Sequence, residues 1–226
     1  MKISVIISVY NEEKLIKNCL NSLMKQEEKP DEIIVVDNNC TDKTIDIVKK
    51  FPRIIVIKEK KQGMTPARNA GFNYAKGDIL VKCDADSEFP TNFIKEIKIA
   101  FLKNPTHVGL TTPVYFGDLI GVSKLTWLYY VYLLVPKLII GDYPLNGPGY
   151  AITKKVWNKV KSEICLDDKK VHEDIDLSFH IIKYGRIFFL KKCLIKASAR
   201  RLKKDPQSFF GEYQTRFIKM LSTHWL

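Results

Sequence analysis

Two hydrophobic periods alternate along the N-terminal third of the chain, and this restricts its fold more than any other feature. "ISVIISV" (3–9) is a β-rich run that stops at Tyr10-Asn11. From Glu12 to Gln26, Leu15, Ile16, Cys19, Leu20, Leu23 and Met24 recur at helical spacing, with Asn11 placed as the N-cap. "EIIVVD" (32–37) reads as a second strand, followed by a helix over 41–51, and "RIIVI" (53–57) as a third. Thr65-Pro66 reads as an N-cap with proline at the first helical position, opening a helix through Ala75. "DILVKCD" (78–84) is the fourth strand. Strands separated by single helices predict parallel pairing through right-handed crossovers, hence an α/β domain with a mostly parallel central sheet flanked by helices. Ligands of such sheets bind beyond the carboxyl ends of the strands. Tyr10-Asn11-Glu12, Asp37 and Asp84-Ala85-Asp86 all fall at those ends.

The second half is less regular. "HVGLTTPVYF" (107–116) reads as a strand and 119–140 as a long apolar helix. "NGPGYAIT" (146–153) supplies a glycine-rich turn and a strand. "HEDIDLSFHIIKYG" (172–185) opens on acids and closes at Gly185, the pattern of an amphipathic helix, and "RIFFL" follows as another strand. Asp205-Pro206 opens a terminal helix (205–226).

Asp84 and Asp86 are the chemical puzzle. Residues i and i+2 of an extended chain share a face, and two carboxylates that close repel each other unless a cation lies nearby. Turn formation after a strand is the plainer reading. A calcium loop does not fit, because Phe89 and Lys95 stand where an EF-hand needs glycine and glutamate. Asp37 could merely cap the helix that follows it. Glu173 and Asp174 could serve only the macrodipole of the helix they open. His172 and His180 lack an H-E-x-x-H arrangement, which leaves them as surface or core residues.

Composition enters here. Lys and Arg number 37 against 25 Asp and Glu, a net charge of +12 that suits an anionic partner without choosing among nucleotides, lipid phosphates and nucleic acid. The 226 residues are enough for one sizeable core. Cys19, Cys40, Cys83, Cys165 and Cys193 form no C-x-x-C pair and read as free thiols. "MKISVIISVYNEE" lacks the apolar stretch of a signal peptide, and the uncharged run 125–136 is shorter than the ~20 residues a spanning helix needs. From Lys183 to Lys204 there are nine Lys or Arg and no acid. This run and the aromatic face of 205–226 fit either a solvated charge run beside a packing helix or a membrane-surface element.

Six stretches, in order, resemble the inverting glycosyltransferases of family 2, which have the GT-A fold: "SVYNEE" (8–13), "VVDNNCTDKT" (35–44), "KKQGMTPARNAG" (60–71), "GDILVKCDADS" (77–87), "NGPGYAI" (146–152) and "HEDIDLSFHIIKYG" (172–185). Ser8 stands where the family usually has proline. The resemblance implies a nucleotide-sugar site made by Ser8, Val9, Tyr10, Glu12, Asp37, Asn39, Arg68, Asp84 and Ala85. It implies a Mn²⁺ or Mg²⁺ ion at Asp86 and a general base at Asp174. Asn146, Gly147, Glu173, Arg200 and Arg201 would lie on the acceptor side, Arg200 and Arg201 through an S-x-R-R stretch. Residues 1–104 would then be the nucleotide-sugar half of the domain, 105–204 the acceptor half and 205–226 an appended amphipathic helix.

The expected donor is a UDP- or GDP-linked sugar and the expected acceptor a glycan or lipid-linked hydroxyl. The implied location is cytoplasmic, with peripheral contact to the anionic inner face of the membrane and no nucleic-acid partner. A nucleotidyltransferase of related topology is the alternative enzyme, but its glycine-rich, lysine-bearing phosphate loop is absent after the first strand. A non-catalytic basic module for membrane or nucleic acid explains the charge but not the ordered motifs.

Overall fold

A computed structural model describes residues 1–118, 126–168 and 170–204, together with 215, 216 and 219. Its first half follows the expected alternation: β1 (Ile3–Val9), α1 (Ile16–Met24), β2 (Glu32–Asp37), α2 (Thr44–Val48), β3 (Ile54–Lys58), α3 (Met64–Tyr74) and β4 (Ile79–Asp84). Then come β5 (Ser87–Glu88), α4 (Phe93–Lys103), β6 (His107–Thr111), β7 (Val114–Phe116), α5 (Thr126–Ile140), β8 (Gly149–Thr153) and α6 (Lys154–Val160). The described part closes with α7 (Glu173–Ile181), β9 (Arg186–Phe189), β10 (Ile195–Ala197) and α8 (Arg200–Lys204).

The central sheet has the order β3-β2-β1-β4-β8-β6-β9. β1, β2, β3 and β4 pair in parallel, β8 is antiparallel to both β4 and β6, and β9 is parallel to β6. Both faces are covered, as the near-continuous apolar strands require. On one face Val5, Ile7, Ile33, Val35 and Val81 pack with Leu20 of α1 and Phe93 and Ile97 of α4. On the other, Ile6, Ile34, Val36 and Leu80 pack with Phe72 of α3, Trp157 of α6 and Leu177 of α7. Alternate residues of each strand thus feed opposite cores, the period of a pleated strand.

Several boundaries differ from the sequence reading. Asn11 does not cap α1: its φ is 56°, and its side-chain oxygen accepts from the Thr41 and Asp42 amides at 2.8 and 3.3 Å. The helix expected over 41–51 is regular only over Thr44–Val48. The strand expected over 107–116 splits at Thr112-Pro113, because proline cannot donate to a ladder. β7 leaves the main sheet for a second one, ordered β5-β10-β7. The expected apolar helix is described from Thr126, while 119–125 and the start of the terminal helix at Asp205-Pro206 lie outside the described residues.

Helix α3 also starts differently. Gly63 is the N-cap, with φ 145°, and Thr65 and Pro66 lie inside the first turn. Gly63 has no side chain to cap with, and the carboxylate of Asp168 supplies one from across the chain, accepting from the Thr65 amide at 3.1 and 3.3 Å. Loss of a capping carboxylate typically costs about 0.5–2 kcal/mol. Asp168→Ala should therefore lower stability by that amount in denaturant unfolding, and an unchanged midpoint would show the contact to be idle.

Candidate active site

The carboxyl edge of the parallel strands gathers the expected residues. In the ladders, Val9 lies opposite Asp37 and Ser8 opposite Asp84, so both acids flank the end of β1. Val9 and Ala85 are buried and Tyr10 is exposed. The Ser8 hydroxyl is buried with no hydrogen-bond partner among the described residues. The loops around this edge hold one another. Asp37 accepts from the Cys40 amide at 2.8 Å, and Asn39, at φ 68°, donates to the Lys60 carbonyl at 3.0 Å. Asn38 donates to the carbonyls of Glu59 and Lys61 and accepts from the Gly63 amide. The rim is thus tied before any ligand arrives.

Asp84 and Asp86 meet different cations. Asp84 pairs with Lys82 Nζ at 2.6 Å. Asp86 pairs with Arg200 Nε at 3.2 Å. The two terminal nitrogens of Arg200 donate to both carboxylate oxygens of Glu12, Nη1 to Oε2 at 2.6 Å. This is a two-point fork, the geometry in which arginine binds carboxylates best. Burial alone would lower the proton affinity of Arg200, but the Glu12 carboxylate raises it. The small second sheet explains the reach: β10 pairs with β5 just after Asp86, so α8 emerges beside that carboxylate. Arg201 also lies in α8, with its side chain outside the described set.

Behind this edge lies a buried charged cluster. Arg68 of α3, Lys82 of β4, Tyr150 of β8, and Glu173 and Asp174 of α7 are all buried. Arg68 donates to the Glu173 carbonyl at 3.2 Å and lies 3.5 Å from its carboxylate. Its other nitrogens donate to Asn69. Arg68 therefore faces the start of α7 rather than the open edge. Burial raises the Glu173 and Asp174 carboxyls above their ordinary values, while Lys82 and Arg68 pull both back down. Asp174 Oδ1 accepts no hydrogen bond among the described residues. Gly147 lies over the cluster. A Cβ at that position would meet Asp174 Oδ2 at 3.1 Å and Asp84 Oδ2 at 3.5 Å. Its neighbour Asn146 has a buried side-chain amide nitrogen without a partner among the described residues.

The profile of glycosyl transferase family 2 matches residues 4–159. The chain belongs to that family. It is 42% identical over 94 residues to the poly(ribitol-phosphate) beta-glucosyltransferase of Bacillus spizizenii, an alignment covering 38% of this chain and 15% of that protein. Among solved structures, S. aureus TarS 1-349 in complex with UDP-GlcNAc superposes with a TM-score of 0.66 at 24% identity, over 86% of this chain and 58% of that one. Mannosyltransferase PcManGT from Pyrobaculum calidifontis, in complex with GDP-Man and Mn²⁺, gives 0.66 at 21% identity, over 85% and 56%. At these identities the likeness establishes the GT-A fold. The matched segments span 14%, 15% and 33% of three curated relatives.

Within this family 2 domain, three contributors escaped the sequence reading. Lys82 sits among apolar strand residues, and nothing in that local run indicates what its ammonium meets. Asn38 lies within the quoted stretch 35–44 but has no role assigned there, Asp168 lies outside every quoted stretch, and only the folded chain shows what their side chains hold. Arg200, by contrast, is expected on the acceptor side and instead reaches Glu12 and Asp86 at the carboxyl edge of the sheet. Among the described residues no group of three or more His, Cys, Asp or Glu side chains converges as a metal site.

Proposed function

We propose that this chain transfers a sugar from a nucleoside diphosphate to a hydroxyl acceptor, with inversion at the anomeric carbon. One observation carries the reading: Asp174, at the start of α7, and Asp84, at the end of β4, both lie within 3.5 Å of where a Cβ on Gly147 would sit. A sugar held near Asp84 and a hydroxyl directed at Asp174 would then be neighbours. Residues 1–104 supply the donor site in this reading and 105–204 the acceptor side.

Asp174 accepts the proton of the acceptor hydroxyl as its oxygen attacks the anomeric carbon, and the bond from that carbon to the diphosphate oxygen breaks. One in-line displacement suffices, without a covalent nucleophile. Ser8, Glu12, Asp37 and Asn39 line the edge for the nucleoside. The donor set suits a hard divalent cation, since Mg²⁺-type sites commonly use one or two carboxylates and complete their shell with substrate phosphates. Asp86 is the residue that would hold Mn²⁺ or Mg²⁺, with Arg200 beside it as a second source of positive charge. When bound at Asp86, such a cation would supply positive charge opposite the departing diphosphate.

UDP- and GDP-linked sugars are the donors to examine first, and a glycan or lipid-linked alcohol fits the acceptor side. Leu134, Val135 and Leu138 are exposed on α5 next to Lys137, which supports peripheral contact with an anionic bilayer. Among the described residues no helix is long and apolar enough to cross a membrane.

Calorimetric titration with UDP and with GDP, each with and without Mn²⁺, tests the reading. Binding of at least one nucleotide that strengthens with Mn²⁺ is expected. A basic module that only binds anions would take both nucleotides weakly and without need of metal.

A further inference from the structure

A lysine in the interior of a sheet covered on both faces is costly, because a buried cation loses its hydration and must be repaid by partners. Lys82 is such a residue. Its ladder neighbours are Ile6 on β1 and Tyr150 on β8, and it is 3% exposed. Its ammonium reaches three separate elements. It is 2.6 Å from Asp84 on its own strand, donates to the Gly147 carbonyl at 2.7 Å, and lies 3.7 Å from the Glu173 carboxylate on α7. Burial alone would lower its proton affinity, yet Asp84, Asp174 and Glu173 raise it well above the ordinary value, so it stays charged.

We propose that Lys82 is a positioning residue that locks the donor-side carboxylate of Asp84, the 146–148 turn and the acidic start of α7 into one register. The inference rests on the glycosyl-transfer reading above. It goes further by assigning the coupling of donor and acceptor sides to one ammonium that need not touch substrate. Asp174 is only 1% exposed, and Gly147 lies against its carboxylate. An acceptor hydroxyl therefore reaches the base past the 146–148 turn. The Asp84 amide donates to the Pro148 carbonyl at 3.3 Å, and Lys82 adds the side-chain link that fixes the Asp84 carboxylate against Gly147 and the start of α7. Arg68 cannot replace it, because its nitrogens are spent on Glu173 and Asn69.

The test compares Lys82→Met, Lys82→Arg, Lys82→Met/Glu173→Gln and Asp174→Asn with the unaltered chain. UDP-glucose, UDP-N-acetylglucosamine and GDP-mannose serve as probes with Mn²⁺. Release of nucleoside diphosphate measures turnover, calorimetry measures donor affinity, and thermal melting checks folding. Misplacing reacting groups by about 1 Å can cost ~10²-fold, so Lys82→Met should lower turnover by about that factor with a much smaller change in donor affinity. Lys82→Arg, which keeps the charge and a donor, should recover part of the loss.

The double variant removes one charge of each sign, so it keeps the cluster balanced should the single variant fail to fold. It should remain slow. Unaltered turnover in Lys82→Met, a loss fully explained by weaker donor binding, or full recovery in the double variant would each overturn the positioning role. The last would reduce Lys82 to a counter-charge. Normal turnover in Asp174→Asn would instead sink the base assignment, and lack of donor binding by the unaltered chain would sink the transferase reading itself.

Discussion

Asp174→Asn should lower turnover by about 10²–10⁴-fold, the usual contribution of a general base, and leave donor affinity nearly unchanged. Asparagine has almost the same size and can keep the contact with Gly147, but it cannot take up the proton of the acceptor hydroxyl. An interaction required only in the transition state does not set ground-state binding. The pH profile adds an independent check. Burial raises the Asp174 carboxyl above its ordinary value, and Lys82 and Arg68 offset only part of that rise. A base works when deprotonated, so activity should fall as pH drops through this raised value. The acid limb of the kcat/KM profile should lie above the ordinary aspartate range and vanish in Asp174→Asn. Glu173→Gln should act more mildly, since Glu173 faces Arg68 and Lys82 rather than Gly147. Single-turnover kinetics with parallel binding measurements decide the matter. Near-normal turnover in Asp174→Asn, or an unshifted acid limb, would remove Asp174 from the role.

Asp86→Ala should abolish the Mn²⁺ dependence of nucleotide binding while the fold survives. Changes in the outer shell of a metal site alone typically cost ~10–100-fold in metal affinity, so loss of the protein's own ligand should cost at least that. Asp86 is partly exposed, and its partner Arg200 retains both contacts to Glu12 when Asp86 is gone. The substitution therefore strands no buried charge, and thermal melting should show little change. Calorimetry of UDP and GDP against Mn²⁺ concentration gives the answer. A Mn²⁺ requirement equal to that of the unaltered chain would refute the assignment. Nucleotide binding lost equally with and without Mn²⁺ would make Asp86 a direct nucleotide contact instead.

Local pattern determined a good deal about this protein. The β-rich runs 3–9, 32–37, 53–57 and 78–84, separated by helical periods, are enough to specify parallel strands, because only buried strands carry such runs and only crossovers join them in parallel. The same pattern placed Asp37, Asp84 and Asp86 at one sheet edge, since a carboxyl-terminal position in each strand is a property of sequence order alone. Long-range pairing was another matter. Nothing in the sequence near Asp86 indicates that Arg200 will face it, because that contact depends on β10 pairing with β5 in a second sheet. The break at Pro113 was visible as a proline, but the new partner of β7 was not. The surroundings of α7's acids were hidden for a similar reason. Sequence shows a helix N-terminus, which favours a carboxylate by ~0.3–1 kcal/mol. Only the tertiary structure shows that Glu173 and Asp174 are buried, and that burial raises both carboxyls. Lys82 makes the same point: nothing in its local run indicates what its ammonium meets until the fold closes Asp84, Gly147 and Glu173 around it. Local pattern sets which residues reach the edge. Which charges meet there is decided by burial and by contacts between distant segments, and neither is written in the spacing of neighbouring residues.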